Sequence, residues 1–518
     1  MFEHLTKAPG DKILALMGEY AADQRTTKID LGVGVYKDEK GVTPVMTSVR
    51  KAEERILSNE KTKTYLGIAG NKGYGAAVLD LVLADSVDRA RVWIAQAPGG
   101  TGSLWVLMNL INRARPGATV YVSDPTWANH NPIAIGAGLK VATYPYFDAE
   151  TRGVKFEQML AALDKLGAGD VVLLHGCCHN PTGANLTDAQ WDQVAASLTR
   201  TGALPFIDLA YLGFGDGIEP DAYGTRKIVS SVPEVLLAFS GSKNFGLYRE
   251  RVGAAILVAR NAEEAQITNS QLLNIIRGAY SQPPDHGAEI IRTILEDPAL
   301  RAEWETELAA MRNRMISLRK KLSDAIRERS NSTDFDFVAD HRGMFSLLGL
   351  PNEAVEHLKA ANGVYMTGDR RINVAGIPED RVGDLADALL AAIRRPNACG
   401  TAPPCYTLAG PANGNRYLGG NDEVLRRYCR HRRHQGTQRR RAHQWRDHQS
   451  VADRQVGSEH RRGHRRNLRL GRGPDLRRGR LARFRDLGEG RRQAGRHRPE
   501  RGGEASPDLG RAARRASL

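Results

Sequence analysis

Cysteine is scarce in this chain: five in 518 residues, of which only Cys177 and Cys178 precede residue 396. That excludes a disulfide-stapled scaffold, since neighbours in sequence rarely bridge, and it predicts a reducing, cytoplasmic setting. Long hydrophobic runs are missing too; none approaches the ~20 apolar residues needed to cross a bilayer. The opening Met1-Phe2-Glu3-His4 has neither the basic segment nor the apolar stretch of a secretory signal, so none is expected. The phosphate-loop spacing G-x-x-x-x-G-K-[ST] is absent, as is a clean G-x-G-x-x-G. Cys177-Cys178-His179 has no second cysteine pair to join it. Three adjacent residues cannot all face one tetrahedral ion, so no metal is expected and these thiols read as buried packing groups.

Lysine disappears after Lys359, and charge is unevenly spread. Residues 396–518 hold 30 Arg, no Lys and 11 acidic residues, whereas residues 1–395 hold 44 basic and 48 acidic ones. The formal charge of +15 therefore belongs to the end of the chain and says nothing about what the rest binds. The length predicts two or more folded units.

What is present is an alternation of strand and helix patterns. Short apolar runs with β-branched residues occupy 118–122, 171–174, 204–207, 235–239 and 253–258, which suits buried strands. Helical patterns lie between them, over about 103–113 and over 188–198, the latter with Asn185 and Thr187 as caps. This predicts an α/β fold: a large domain with a mostly parallel sheet flanked by helices. After about Gly287 come long helices, over 290–295 and 301–327, then a smaller α/β segment with strands over 345–348 and 372–375.

Ligands in such sheets bind outside the carboxyl ends of the strands. Four predicted ends carry chemically capable residues: Asp124-Pro125-Thr126-Trp127, His179-Asn180-Pro181-Thr182-Gly183, Asp208-Leu209-Ala210-Tyr211 and Ser240-Gly241-Ser242-Lys243. That convergence predicts an active site. Pro98-Gly99-Gly100-Thr101-Gly102 opens a helical stretch, where free N–H groups and the helix dipole favour a phosphate, although a plain glycine-rich turn reads the same way. A lone lysine is usually a solvated charge. Lys243, set among Ser240, Ser242 and Asn244 after an apolar strand, could instead lose its proton readily and bond an aldehyde, with Ser240, Ser242 and Arg251 joining the glycine loop around a phosphate. Asp208 follows four apolar residues. It is either a turn or capping residue, or a buried carboxylate that needs a cationic partner and could keep a pyridinium nitrogen protonated. Arg277 and Arg371 are candidate carboxylate clamps, although composition alone cannot single them out.

Beyond composition, the motifs Leu31-Gly32-Val33-Gly34-Val35-Tyr36, Tyr65-Leu66-Gly67, Pro98 to Gly102, His179 to Gly183, Ser242-Lys243-Asn244-Phe245-Gly246-Leu247-Tyr248 and Arg371-Ile372-Asn373-Val374-Ala375-Gly376 occur in order. Over residues 2–393 the chain resembles fold-type I pyridoxal phosphate aminotransferases, in particular those for aspartate and aromatic amino acids. The resemblance implies pyridoxal 5′-phosphate, amino acid and 2-oxo acid substrates, ping-pong transfer to 2-oxoglutarate, and a homodimer with shared active sites. It implies that Lys243 joins the cofactor aldehyde and moves the proton between Cα and C4′. Asp208 resembles the partner of the pyridine nitrogen, with His130 behind it. Asn180 and Tyr211 resemble the pair on the phenolic oxygen, and Trp127 the ring that stacks on the cofactor. Gly100, Thr101, Ser240, Ser242 and Arg251 resemble the phosphate cup, and Tyr65 the residue that reaches the neighbouring subunit's phosphate. Arg371 resembles the α-carboxylate clamp, helped by Asn180 and the Gly34 backbone. Phe345 is expected beside the substrate, and Arg277 resembles the residue donated across the dimer to a distal carboxylate.

The expected domains are an N-terminal arm with part of the small domain (1–43), a large cofactor-binding domain (44–312), a small domain (313–395) and an arginine-rich, disordered tail (396–518). Some features depart from the family: Gln282 beside the site, Asp369-Arg370 before Arg371, and a short stretch over 85–96. Lys37, Thr43 and Thr101 are similar to aspartate-preferring members, while aromatic substrates remain open if Arg277 swings aside. Another pyridoxal phosphate reaction on the same fold is disfavoured by the paired clamps Arg371 and Arg277. The tail could be a nucleic-acid-binding arm. Thirty Arg without one Lys reads rather as GC-rich DNA translated out of frame, so nucleic acid is not an expected partner, and neither is a membrane.

Overall fold

The computed structural model describes residues 1–8 and 10–394; the tail expectation lies outside these residues. Eleven strands occur among them: β1 (Ile29–Asp30), β2 (Val92–Pro98), β3 (Thr119–Asp124), β4 (Lys140–Pro145), β5 (Val171–His175), β6 (Leu204–Leu209), β7 (Val235–Ser240), β8 (Val252–Val258), β9 (Phe345–Leu347), β10 (Val364–Tyr365) and β11 (Arg371–Asn373). Seven form one sheet in the order β2-β8-β7-β6-β5-β3-β4. Every neighbouring pair is parallel except those made by β8, which runs antiparallel to both β2 and β7.

The sheet is covered on both faces, and the side-chain alternation shows why. In β5, Val172 and Leu174 enter one hydrophobic core while Val171 and Leu173 enter the other. A strand buried on both faces has to be apolar throughout. β6 and β7 follow the same rule over 204–207 and 235–239, with Asp208 and Ser240 as their buried polar exceptions. A third core joins Ile29 and Leu31 to Leu318, Leu322, Leu348, Ile372 and Leu389. There β1 pairs with β10, and β9 pairs antiparallel with β11. The helix Pro298–Ser330 contributes Trp304 and Leu308 to the first core and Leu318 and Leu322 to the third.

Several expected boundaries change. The helix expected from Ser103 begins at Gly99, directly after β2. The helix Asp188–Thr201 is capped by Thr187, whose hydroxyl accepts from the Gln190 amide while the Gln190 side chain bonds back. Asn185 does not cap it; its Oδ1 accepts from the His179 amide. The strand expected over 372–375 ends at Asn373, because the Asn373 side chain accepts from the Ala375 amide and turns the chain into a short 3-10 segment. No helix among the described residues is long and apolar enough to cross a membrane.

Candidate active site

The loops after β2, β3, β5, β6 and β7 bring most of the expected residues together. Lys243 lies in the turn after β7, and that turn is held from behind. Phe245 stacks on Trp304 with ring centres 4.4 Å apart, and Trp304 Nε1 donates to the Asn244 carbonyl at 2.8 Å. Lys243 is half-buried, with Nζ 4.9 Å from the centre of the Tyr211 ring. Burial pushes its pKa down and the Arg251 charge adds to this, while Asp208 opposes.

Asp208 is neither a turn nor a capping residue: it sits inside β6, buried. His130 Nε2 donates to its Oδ2 at 3.1 Å. Thr126 Oγ1 lies 2.8 Å from His130 Nδ1 and 3.2 Å from His175 Nε2, so the hydroxyl links the two rings. Burial pushes the Asp208 pKa up. The His130 hydrogen bond, followed by the charges of His130 and Lys243, outweighs it and holds the carboxyl below its ordinary range. His175 is pulled down to about 3, first by burial and then by the His130 charge, so it is neutral at ordinary pH. Trp127 is half-buried and meets His130 edge-on with ring centres 5.3 Å apart. The sequence places Thr126 in one of the polar strand ends but gives it no role of its own, and His175, which the sequence does not single out, closes the apolar run of β5.

The glycine loop is shaped by what cannot fit there. A Cβ at Gly99 (φ +72°) would stand 2.3 Å from Arg251 Nη2, and one at Gly100 would stand 3.0 Å from Ser240 Cβ. Arg251 Nη1 donates to Ser242 Oγ at 3.2 Å, and Thr101 is exposed in the first turn of the helix Gly99–Ala114. Hydroxyls, a guanidinium and free helix N–H groups converge here, a donor set suited to a phosphate.

Arg371, from β11, completes the cluster. Its Nη1 donates to Asn180 Oδ1 at 3.2 Å and its Nη2 to the Gly32 carbonyl at 3.1 Å, while Asn180 Nδ2 donates to the Tyr211 hydroxyl at 3.4 Å. The Phe345 ring lies 4.3 Å from the Arg371 guanidinium carbon and 6.0 Å from the Tyr211 ring centre, and a Cβ at Gly34 would stand 3.2 Å from it. Arg371 is buried, which lowers its pKa, and its Nε has no hydrogen-bond partner. The contacts that join this cluster do not include Tyr65 or Arg277. Tyr65 is 89% exposed, and Arg277, exposed at the end of the helix Ala262–Ala279, donates to Ser281. Cys177, Cys178 and Asp221 lie close together, but Asp221 accepts from the amides of Gly213, Gly215 and Asp216. The hydrogen bond with Cys178 and then burial push the Cys177 thiol up, while that hydrogen bond lowers the Cys178 thiol and burial more than offsets it.

This fold, with an amine, a histidine-backed carboxylate and an anion cradle at neighbouring strand ends, defines a class: the fold-type I transaminases. Comparison with known proteins agrees. The family model for aminotransferase class I and II matches residues 26–389, and the chain belongs to that family. The aromatic-amino-acid aminotransferase of Paracoccus denitrificans is 51% identical over 390 residues, which is 75% of this chain and 99% of the relative. The aspartate aminotransferase of Escherichia coli (strain K12) is 44% identical over 396 residues, 76% of this chain and 100% of the relative. Among solved structures, the aromatic-amino-acid aminotransferase from Burkholderia pseudomallei, covalently bound to pyridoxal phosphate, is 41% identical with a TM-score of 0.74. That match covers 76% of this chain and 100% of the other.

Proposed function

We propose that this aminotransferase moves the amino group of aspartate and of aromatic amino acids to 2-oxoglutarate, using pyridoxal 5′-phosphate, as a cytoplasmic homodimer. The observation that carries this reading is the arrangement of Asp208 in β6 and Lys243 in the turn after the adjacent β7, with Arg371 tied to Asn180 in the same cluster. When bound, the cofactor supplies an aldehyde for the substrate amine and a ring that withdraws electrons from Cα. Lys243 Nζ would hold that aldehyde, and once displaced would take the Cα proton and return it at C4′. Its lowered pKa suits this work, because more of the amine is unprotonated near neutral pH.

Asp208 would keep the pyridine nitrogen protonated, and His130 orients it. Gly100, Thr101, Ser240, Ser242 and Arg251 would hold the phosphate, Asn180 and Tyr211 the phenolic oxygen, and Trp127 one face of the ring. Arg371 would pair with the α-carboxylate by two-point hydrogen bonding, beside the Gly34 backbone and Phe345. The exposure of Tyr65 and Arg277 suits residues that complete the neighbouring copy's site, Tyr65 at the phosphate and Arg277 at a distal carboxylate. The proposed division remains an arm with part of the small domain (1–43), a large domain (44–312) and a small domain (313–395).

Steady-state kinetics of Arg277→Leu test the substrate reading. The variant should lose aspartate turnover and keep phenylalanine turnover. Equal loss of both would contradict Arg277 as the distal clamp.

A further inference from the structure

Arg319 lies in the helix Pro298–Ser330 with no exposed surface. Its hydrogen-bond acceptors are all neutral. Nε and Nη2 donate to the Gly343 carbonyl at 3.3 and 2.8 Å, Nη2 to the Phe345 carbonyl at 2.7 Å, and Nη1 to the Val338 carbonyl at 3.1 Å and Ser346 Oγ at 2.6 Å. Burying a guanidinium without a counter-charge is unfavourable, so its presence calls for a reason. Lysine could not replace it, because three donors on one point cannot reach acceptors spread over this width.

The acceptors span 338–346, the stretch that runs into β9. β9 pairs with β11, with Leu347 opposite Arg371 and Phe345 opposite Asn373. The Met344 carbonyl accepts from the Val374 amide at 2.8 Å, so alternate carbonyls face the β11 side. The Gly343 and Phe345 carbonyls bond Arg319 instead, which holds the other edge of the same strand. β9 also carries the Phe345 ring, on which the Arg371 guanidinium rests at 4.3 Å. The Asn180 loop runs against it as well: a Cβ at Gly183 would stand 2.2 Å from the Phe345 carbonyl oxygen. Arg319 thus fixes the strand where Phe345, Arg371 and the Asn180 loop meet.

We propose that Arg319 is a positioning residue for substrate carboxylate binding, acting through β9 and Phe345 on the aim of Arg371. This rests on the reading of Arg371 as the α-carboxylate clamp. The test uses holoenzyme of the wild type, Arg319→Lys, Phe345→Leu and the double variant. It measures kcat and KM for aspartate, and the equilibrium Kd for succinate, an unreactive dicarboxylate. Arg319→Lys should raise KM and the succinate Kd about tenfold while kcat stays within about threefold. Phe345→Leu should do the same, and the double variant should be no worse than the worse single one, as expected of residues acting through one contact. Unchanged KM and Kd in Arg319→Lys, or a loss of kcat without a rise in KM, would overturn the proposal. Should Arg319→Lys fail to fold, an unchanged succinate Kd in Phe345→Leu would overturn it equally. A wild type that binds no succinate would overturn the Arg371 reading and this proposal with it, whereas a binding wild type beside an unaffected Arg319→Lys overturns this proposal alone.

Discussion

His130 Nε2 donates to Asp208 Oδ2 at 3.1 Å, and Thr126 Oγ1 lies 2.8 Å from the other ring nitrogen. The hydroxyl and the carboxylate together fix the ring's orientation, and the carboxylate is left charged and aimed into the cluster. Its charge also acts on Lys243, whose pKa Asp208 raises against the opposing effect of burial.

Asp208→Asn should therefore do two things. It should lower kcat about 10³-fold, as loss of a preorganised charge does. It should also let the Lys243 pKa fall further, so the acid limb of the kcat profile moves to lower pH. A profile of kcat against pH for both proteins checks this. A limb that stays put, or moves to higher pH, would deny the coupling of Asp208 to Lys243.

For Arg371, the geometry of the guanidinium matters as much as its charge. Arg371→Leu should raise KM for the amino acid about 100-fold, and Arg371→Lys about tenfold, because an ammonium keeps the charge but loses the two-point fork. Both KM values come from initial rates. Equal effects of the two substitutions would show that charge alone matters.

Two buried histidines predict acid lability. Burial and a nearby charge, that of His130 on His175 and that of Arg319 on His341, pull both pKa values down to about 3. In the unfolded chain each takes up a proton near pH ~6.5. Between those values the unfolded state binds more protons, so stability falls as pH drops below ~6.5, by up to about 1.4 kcal/mol per pH unit for each histidine. His341 Nε2 is 2.8 Å from the Arg152 carbonyl and Nδ1 is 3.1 Å from Ser346 Oγ, so glutamine is a fair replacement. Urea midpoints between pH 7 and 4 should fall less steeply for His341→Gln than for the wild type. Equal slopes would remove His341 from the account.

The residues after 395 are predicted to be dispensable. A chain ending at Ile393 should keep full transaminase activity, and the complete chain should show no salt-dependent retention on double-stranded DNA. Loss of activity in the shortened chain, or retention of the long one, would give the arginine-rich segment a function.

Much of this fold was legible because the central strands are buried on both faces. β5, β6, β7 and β8 therefore appear as apolar runs, broken only near their ends at His175, Asp208 and Ser240. β2 and β4 lack that signature, for physical reasons. β2 carries the exposed Trp93 and the buried polar Gln96 before ending in Pro98, and β4 is an edge strand with just one of its six residues, Tyr144, buried. The site residues at strand ends were legible as polar breaks after apolar runs. Arg319 was not, because its role depends on carbonyls of a distant segment that local sequence does not bring to it.

The most direct test is the visible absorption spectrum of the protein loaded with pyridoxal phosphate, with Lys243→Ala alongside. Aspartate and then phenylalanine are added to separate samples without an oxo acid. The account predicts that the wild type binds the cofactor with a visible band, that either amino acid converts it to the pyridoxamine form, and that Lys243→Ala does not make this conversion. A wild type that shows no such band, or a Lys243→Ala variant that converts as fast as the wild type, would contradict it.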